Sequence, residues 1–149
     1  MREPSGNNEH LHGLYFQDIS LGMSAQYSRK LSETDIEAFA NLSGDTNPLH
    51  LDEDYAKTTM FKGRIAHGLL SASYISTVIG TKLPGPGCIY ISQSLRFKAP
   101  VRMGDEVTAK ATVIELNPEK RFVTLKTSCA VDGFDVLTGN ATVLVDSRP

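Results

Sequence analysis

The sequence predicts an α+β fold in which a curved antiparallel sheet wraps one long helix. Three observations carry this. The segment from His67 to Gly80 contains no Lys, Arg, Asp or Glu and is apolar or small nearly all round, the signature of a helix enclosed by other structure. Everything after Gly87 reads as strands separated by turns. The chain has 149 residues, no internal repeat and no linker, so both features belong to one domain large enough for a real core.

Taken in order, residues 1–13 are polar and read as a flexible N-terminal arm, with the domain proper spanning 14–149. His10 and His12 could clip a metal if they lay on a strand, but a loose terminal segment is the expectation. Leu14 to Arg29 is strand-like with a turn near Gly22. Ser32 is placed to cap a helix whose first turn carries Glu33 and Asp35, where the dipole favours acids. Ile36, Phe39, Ala40 and Leu42 are expected to give that helix one buried face, and Gly44 is a good stop. A loop over Asp45–His50 follows, which Pro48 keeps from continuing as helix, and Asp52 to Thr59 reads as a short helix. After the uncharged helix, Pro84-Gly85-Pro86-Gly87 breaks the chain. Strands are expected over Cys88–Ala99, Val107–Leu116, Phe122–Val131 and Val136–Val145, with turns at Met103–Glu106, Asn117–Lys120 and Asp132-Gly133. Such a sheet has a free face and free edges that invite a partner subunit.

Composition narrows the function. Fifteen Lys+Arg against 17 Asp+Glu lack the basic excess of a nucleic-acid binder. No apolar run is long enough to cross a bilayer, and the N-terminus lacks the apolar core of a secretory signal. Cys88 and Cys129 are too few for a disulfide framework and have no CxxC spacing, so a reducing, cytoplasmic setting is expected, with both as small hydrophobes in strands.

The chemistry concentrates in two places. Asp45 and His50 lie five apart on a loop that can turn at Asn47-Pro48, bringing an acid and an imidazole to one water. The same spacing also suits a turn cap and a buried histidine. A metal reading would add Asp52 and Asp54, but the spacing of a tetrahedral zinc site is missing. Downstream, His67-Gly68 opens the uncharged helix. A glycine in a first helical turn leaves its N–H uncovered by any Cβ, so a substrate oxygen can approach it where the dipole favours negative charge. Ser71, Ser73 and Ser76 lie further along, without the elbow of a nucleophilic serine. No dinucleotide or Walker motif occurs.

These residues together resemble the MaoC-like (R)-specific enoyl-CoA hydratases. The matching text is Ser43-Gly44-Asp45-Thr46-Asn47-Pro48-Leu49-His50, then Arg64-Ile65-Ala66-His67-Gly68-Leu69-Leu70, then Leu83-Pro84-Gly85-Pro86-Gly87, Ser94-Leu95-Arg96-Phe97-Lys98-Ala99-Pro100-Val101 and Gly104-Asp105. The resemblance runs from about Phe16 to Val145. It implies a hot-dog fold, a homodimer with the active site near the subunit interface, and reversible syn hydration of trans-2-enoyl-CoA to (R)-3-hydroxyacyl-CoA without metal or cofactor. It further implies that Asp45 and His50 hold and activate the water, that Gly68 N–H binds the thioester carbonyl, and that Ser73 supports the site. His67 has no clear role in the family and is read as structural or pocket-lining. Lys62, Arg64, Arg96 and Lys98 are candidates to meet the CoA phosphates. Three other functions remain open: a 3-hydroxyacyl-carrier-protein dehydratase of the same fold, a hot-dog thioesterase, and a non-catalytic acyl-thioester binding module.

Overall fold

The structure is a computed structural model and describes residues 9–149. Residues 1–8 of the expected arm lie outside the described residues. Glu9–Leu11 form a single 3-10 turn. Residues 12–16 are stitched down: Gly13 N–H donates to Pro86 O at 2.8 Å, Leu14 N–H to Pro84 O at 2.9 Å, and Phe16 N–H to Asp146 O at 2.8 Å. His12 stacks on Tyr15 and bonds Asp146. The strand expected from Leu14 starts later. Asp18 accepts from Tyr15 N–H and folds Phe16–Asp18 into a second 3-10 turn, and β1 then covers Ser24–Lys30.

The helix α1, Glu33–Ser43, begins in a capping box: Ser32 Oγ accepts from Asp35 N–H, and the Asp35 carboxylate accepts from Ser32 N–H. It ends at Gly44, whose φ of 81° is the left-handed cap that glycine adopts without strain. The next segment differs from the expected loop. Pro48 starts a one-turn helix, α2 (Pro48–Leu51), because Asn47 Oδ1 caps Leu49 N–H and proline suits the first helical position. A second short turn, α3 (Glu53–Ala56), is capped by Asp52.

The long helix α4 covers Gly68–Thr81. β2 (Ile89–Gln93), β3 (Arg96–Phe97), β4 (Glu106–Asn117), β5 (Phe122–Val131) and β6 (Phe134–Leu144) join β1 in a six-stranded antiparallel sheet of order β1-β4-β5-β6-β2, with β3 also on β6. The single strand expected over Cys88–Ala99 is split in two, and Cys88 falls just before β2. At the break Ser94 N–H donates to Asn140 O, and the chain passes so close to Gly139 that a Cβ there would lie 1.8 Å from Ser94 O.

The core lies between the sheet and α4. Val107, Ala109, Ala111 and Val113 on β4 are buried at period two, as are Val123, Leu125, Thr127 and Cys129 on β5. They meet Leu70, Tyr74, Ile75, Val78 and Ile79 of α4. That helix is not enclosed on all sides within one chain. Its outer face, including Leu69, Ser73, Ser76 and Gly80, is exposed, and lack of charge marks a covered face only where something packs on it. At the sheet edge Ile89, Tyr90 and Ile91 of β2 are also exposed.

Candidate active site

A cavity of about 520 Å³ opens where α2, the segment entering α4, and the β3 region meet. Asp45, His50, His67, Gly68 and Ser71 line it, with an apolar wall that includes Ile65, Phe97, Val101, Val136 and Leu137. The structure therefore brings Asp45, His50 and Gly68 together. Ser73 is not among the lining residues. It is exposed on the far side of α4, and its hydroxyl donates to Leu70 O at 2.5 Å. The serine that does line the cavity is Ser71, buried, one turn beyond Gly68 on the same helix face.

Each side chain is held by bonds to distant backbone. His50 is buried in α2, and its Nδ1–H donates to Ile65 O at 2.8 Å. That bond fixes the tautomer, so Nε2 is the nitrogen left with a lone pair for the cavity. Burial pushes the His50 pKa down, and the nearby His67 adds to this. The bond to Ile65 O and the Asp45 carboxylate work the other way without reversing it. The imidazole is thereby kept in its neutral, basic form.

Arg64 donates from Nε to His50 O at 2.7 Å and from Nη1 to Glu33 at 2.9 Å. It clamps α2 to α1, so this candidate for a CoA phosphate is already engaged. Lys98 lines the cavity, and Lys62 and Arg96 are exposed.

Asp45 sits just past the α1 cap, with its side chain half exposed. Its Oδ1 accepts from Asn47 N–H at 3.3 Å. His67 bonds the backbone of this residue, through Nε2 to Asp45 O at 2.9 Å, while the nearer carboxylate oxygen lies 4.0 Å away. The His67 ring stacks on His50, with centroids 3.9 Å apart and planes inclined by 29°.

Ligand atoms of Asp45, His50 and His67 all lie within 4.8 Å of one another. Metal ligation is a poor fit to this set. One nitrogen of each ring is committed to a backbone carbonyl, and the remaining Nδ1 of His67 is enclosed, so the set does not offer the open tetrahedral ligands of a zinc site.

Gly68 occupies the first position of α4, where a helix N–H has no partner within the helix. Glycine is required there by space. A Cβ would stand 2.5 Å from a ring carbon of Phe97, which lies against the helix start. Beside the residues read from the sequence, the cavity also holds Ser71 and Phe97. The i+3 spacing of Ser71 from Gly68 was the available signal, since it puts both on one face. Nothing local marked Phe97, because β3 reaches Gly68 only through the tertiary fold.

The arrangement can hold a carbonyl oxygen at a helix N-terminus, beside a water that a carboxylate and a neutral imidazole both reach. Comparison with known proteins gives the chain a family. The MaoC like domain profile matches residues 17–132. The chain is 61% identical to the (R)-specific enoyl-CoA hydratase of Rhodospirillum rubrum, over 90% of this chain and 93% of that one. It is 48% identical to the 3-hydroxybutyryl-CoA dehydratase of Methylorubrum extorquens, over 91% and 86%. Its backbone superposes on the unliganded R-hydratase PhaJ1 of Pseudomonas aeruginosa with a TM-score of 0.86 at 41% identity, covering 93% of this chain and 89% of that one. The sheet wrapped on α4 is thus a hot-dog fold, and the chain belongs to the MaoC-like domain family.

Proposed function

We propose that this chain is an (R)-specific enoyl-CoA hydratase, adding water reversibly to trans-2-enoyl-CoA to give (R)-3-hydroxyacyl-CoA. The observation that carries the reading is the convergence of the Asp45 carboxylate, the open Nε2 of neutral His50 and the free N–H of Gly68 on one largely apolar cavity. The thioester carbonyl accepts from Gly68 N–H, which stabilises the enolate as charge moves onto that oxygen. Asp45 and His50 hold the water. One proton leaves it as its oxygen bonds C3, and one proton is delivered to C2, so the pair ends each turnover as it began. Dehydration is the same path reversed. Ser73, whose hydroxyl donates to Leu70 O on the exposed face of α4, supports this scheme only through the helix that carries Gly68. The chemistry calls on no metal or redox cofactor.

The active unit is a homodimer in this reading. The exposed face of α4 is free of charge and mostly small, and β2 presents Ile89, Tyr90 and Ile91 at an open sheet edge, so a second copy has an apolar surface to cover. Sedimentation at micromolar concentration is expected to give twice the mass of one chain.

Loss of the enoyl-thioester absorbance of crotonyl-CoA tests the activity. Asp45→Asn and His50→Ala are each expected to slow it by about 10²–10⁴-fold with the fold intact. Unchanged rates in both variants would remove the assignment. Release of free thiol would indicate a thioesterase instead, and preference for a carrier-protein thioester would move the substrate class.

A further inference from the structure

We propose that His67 is a positioning residue for the Asp45–His50 pair, setting the loop and the imidazole relative to each other. The inference rests on the hydratase reading above. It goes beyond it in giving a role to a residue that touches neither the water nor the carbonyl in that scheme.

The observations come from three sides of one ring. From its Nε2 edge, His67 donates to the backbone carbonyl of Asp45 at 2.9 Å, across 22 positions of sequence. From its face, it stacks on His50 at 3.9 Å, and Phe39 of α1 packs on it at 4.9 Å. From its backbone, it is the N-cap of α4, so its ψ of 130° directs the peptide that carries Gly68 N–H. One buried residue therefore meets all three parts of the site.

The polarity agrees with a holding role. His67 takes the backbone carbonyl of Asp45 and leaves the carboxylate to its bond from Asn47 N–H. With the hydrogen on Nε2, the buried Nδ1 is a bare lone pair, and it has no hydrogen-bond partner among the described residues. A ring anchored from one edge, with its other edge idle, is oriented by its bond to Asp45 and braced by its stack. The idle nitrogen is enclosed, and the other carries the hydrogen given to Asp45 O, so the ring's bonding serves to hold the loop.

The test separates the donor from the ring. His67→Phe keeps a flat ring against His50 and removes the donor. His67→Gln carries an amide nitrogen at the same bond count as Nε2 and restores the donor without the ring. His67→Asn puts its amide at the place of Nδ1, short of Asp45 O, and is expected to behave as His67→Phe does.

In the wild-type background, His67→Phe should lower kcat of crotonyl-CoA hydration by about 10²-fold with KM changed by less than about threefold, and His67→Gln should recover kcat to within about tenfold. Amide exchange over residues 45–50 should quicken in His67→Phe and stay near wild type in His67→Gln. Three results would overturn the proposal: a wild-type kcat in His67→Phe, an equal loss in Phe and Gln variants, or a rise in KM alone. Should His67→Phe fail to fold, the Asn and Gln pair decides by the same criteria. If wild-type protein hydrates no enoyl-CoA, the hydratase reading falls, and the exchange experiment still judges the positioning.

Discussion

Over Val107–Val113 of β4 and Val123–Cys129 of β5 every second residue enters the core, and the two strands bond each other rung by rung up to a register shift after Val113. The segment from Gly44 to Leu51 has no such ladder. It is laced by single side-chain bonds to places far away in sequence: His50 to Ile65 O, Arg64 to His50 O, and His67 to Asp45 O. Both regions are well fixed, but by different means. Sheet geometry is distributed over many equivalent contacts, so removing one costs stability and leaves the rest in place. Loop geometry hangs on a few bonds, so removing one displaces a reacting group while the core survives. The two regions should therefore respond oppositely to substitution, one in stability and the other in rate.

The largest expected effect on the sheet side comes from Leu125→Ala. Leu125 is fully buried in the core and does not line the cavity. Its truncation should cost about 2–5 kcal/mol of unfolding free energy, read by denaturant titration, with kcat of the remaining folded protein unchanged. A matching loss of kcat would erase the contrast.

On the site side, Gly68→Ala should leave stability nearly intact, because the Phe97 ring that must move is itself exposed. The displaced ring and the added methyl crowd the carbonyl position, so kcat/KM should fall by about 10²-fold. Arg64→Met is gentler. It removes the donor to His50 O and the tie to Glu33 while keeping the aliphatic stem, and kcat should drop by about tenfold. A rate loss in Arg64→Met confined to KM would point instead to a role in binding the CoA phosphates.

The same contrast explains what could be read in the sequence. Phe122–Val131 was legible to the residue, since alternation over ten positions is a local signal. The capping box at Ser32 and the stop at Gly44 were legible for the same reason. Asp45, His50 and Gly68 stand out by residue type and motif, whereas the cavity that all three line is a tertiary fact. What the sequence hid follows a pattern. Arg64 resembled a free cation, and its partners, His50 O and Glu33, lie 14 and 31 residues away. His67 was set aside because its partners are a carbonyl and a ring face, neither of which leaves a mark in residue spacing. Ser71 went unread as a lining residue, since polarity alone cannot say which side of an uncharged helix faces a cavity. The enclosure expected for α4 is partial for the same reason: within this chain its outer face, with Leu69, Ser73 and Ser76, is exposed.

The smallest effect is a displacement of the pH profile, and its sign follows from the surroundings of His50. Burial disfavours the imidazolium most, and His67 disfavours it further. The bond to Ile65 O and the Asp45 carboxylate favour it less strongly, so the pKa falls below its ordinary value of about 6.5. If neutral His50 is the active form, the acid limb of kcat/KM for the free enzyme should lie below that value. An acid limb above about 6.5 would show that another group controls the rate. Stability carries the same sign. The unfolded chain protonates its histidine near the ordinary value while the folded one resists, so this group's contribution is complete above about 6.5 and is lost as pH falls through the folded pKa. Asp45→Asn sharpens the point, because it removes the carboxylate that favours the cation. The acid limb of its residual activity should move further down in pH, whereas Leu125→Ala, remote from the imidazole, should leave the limb where it was.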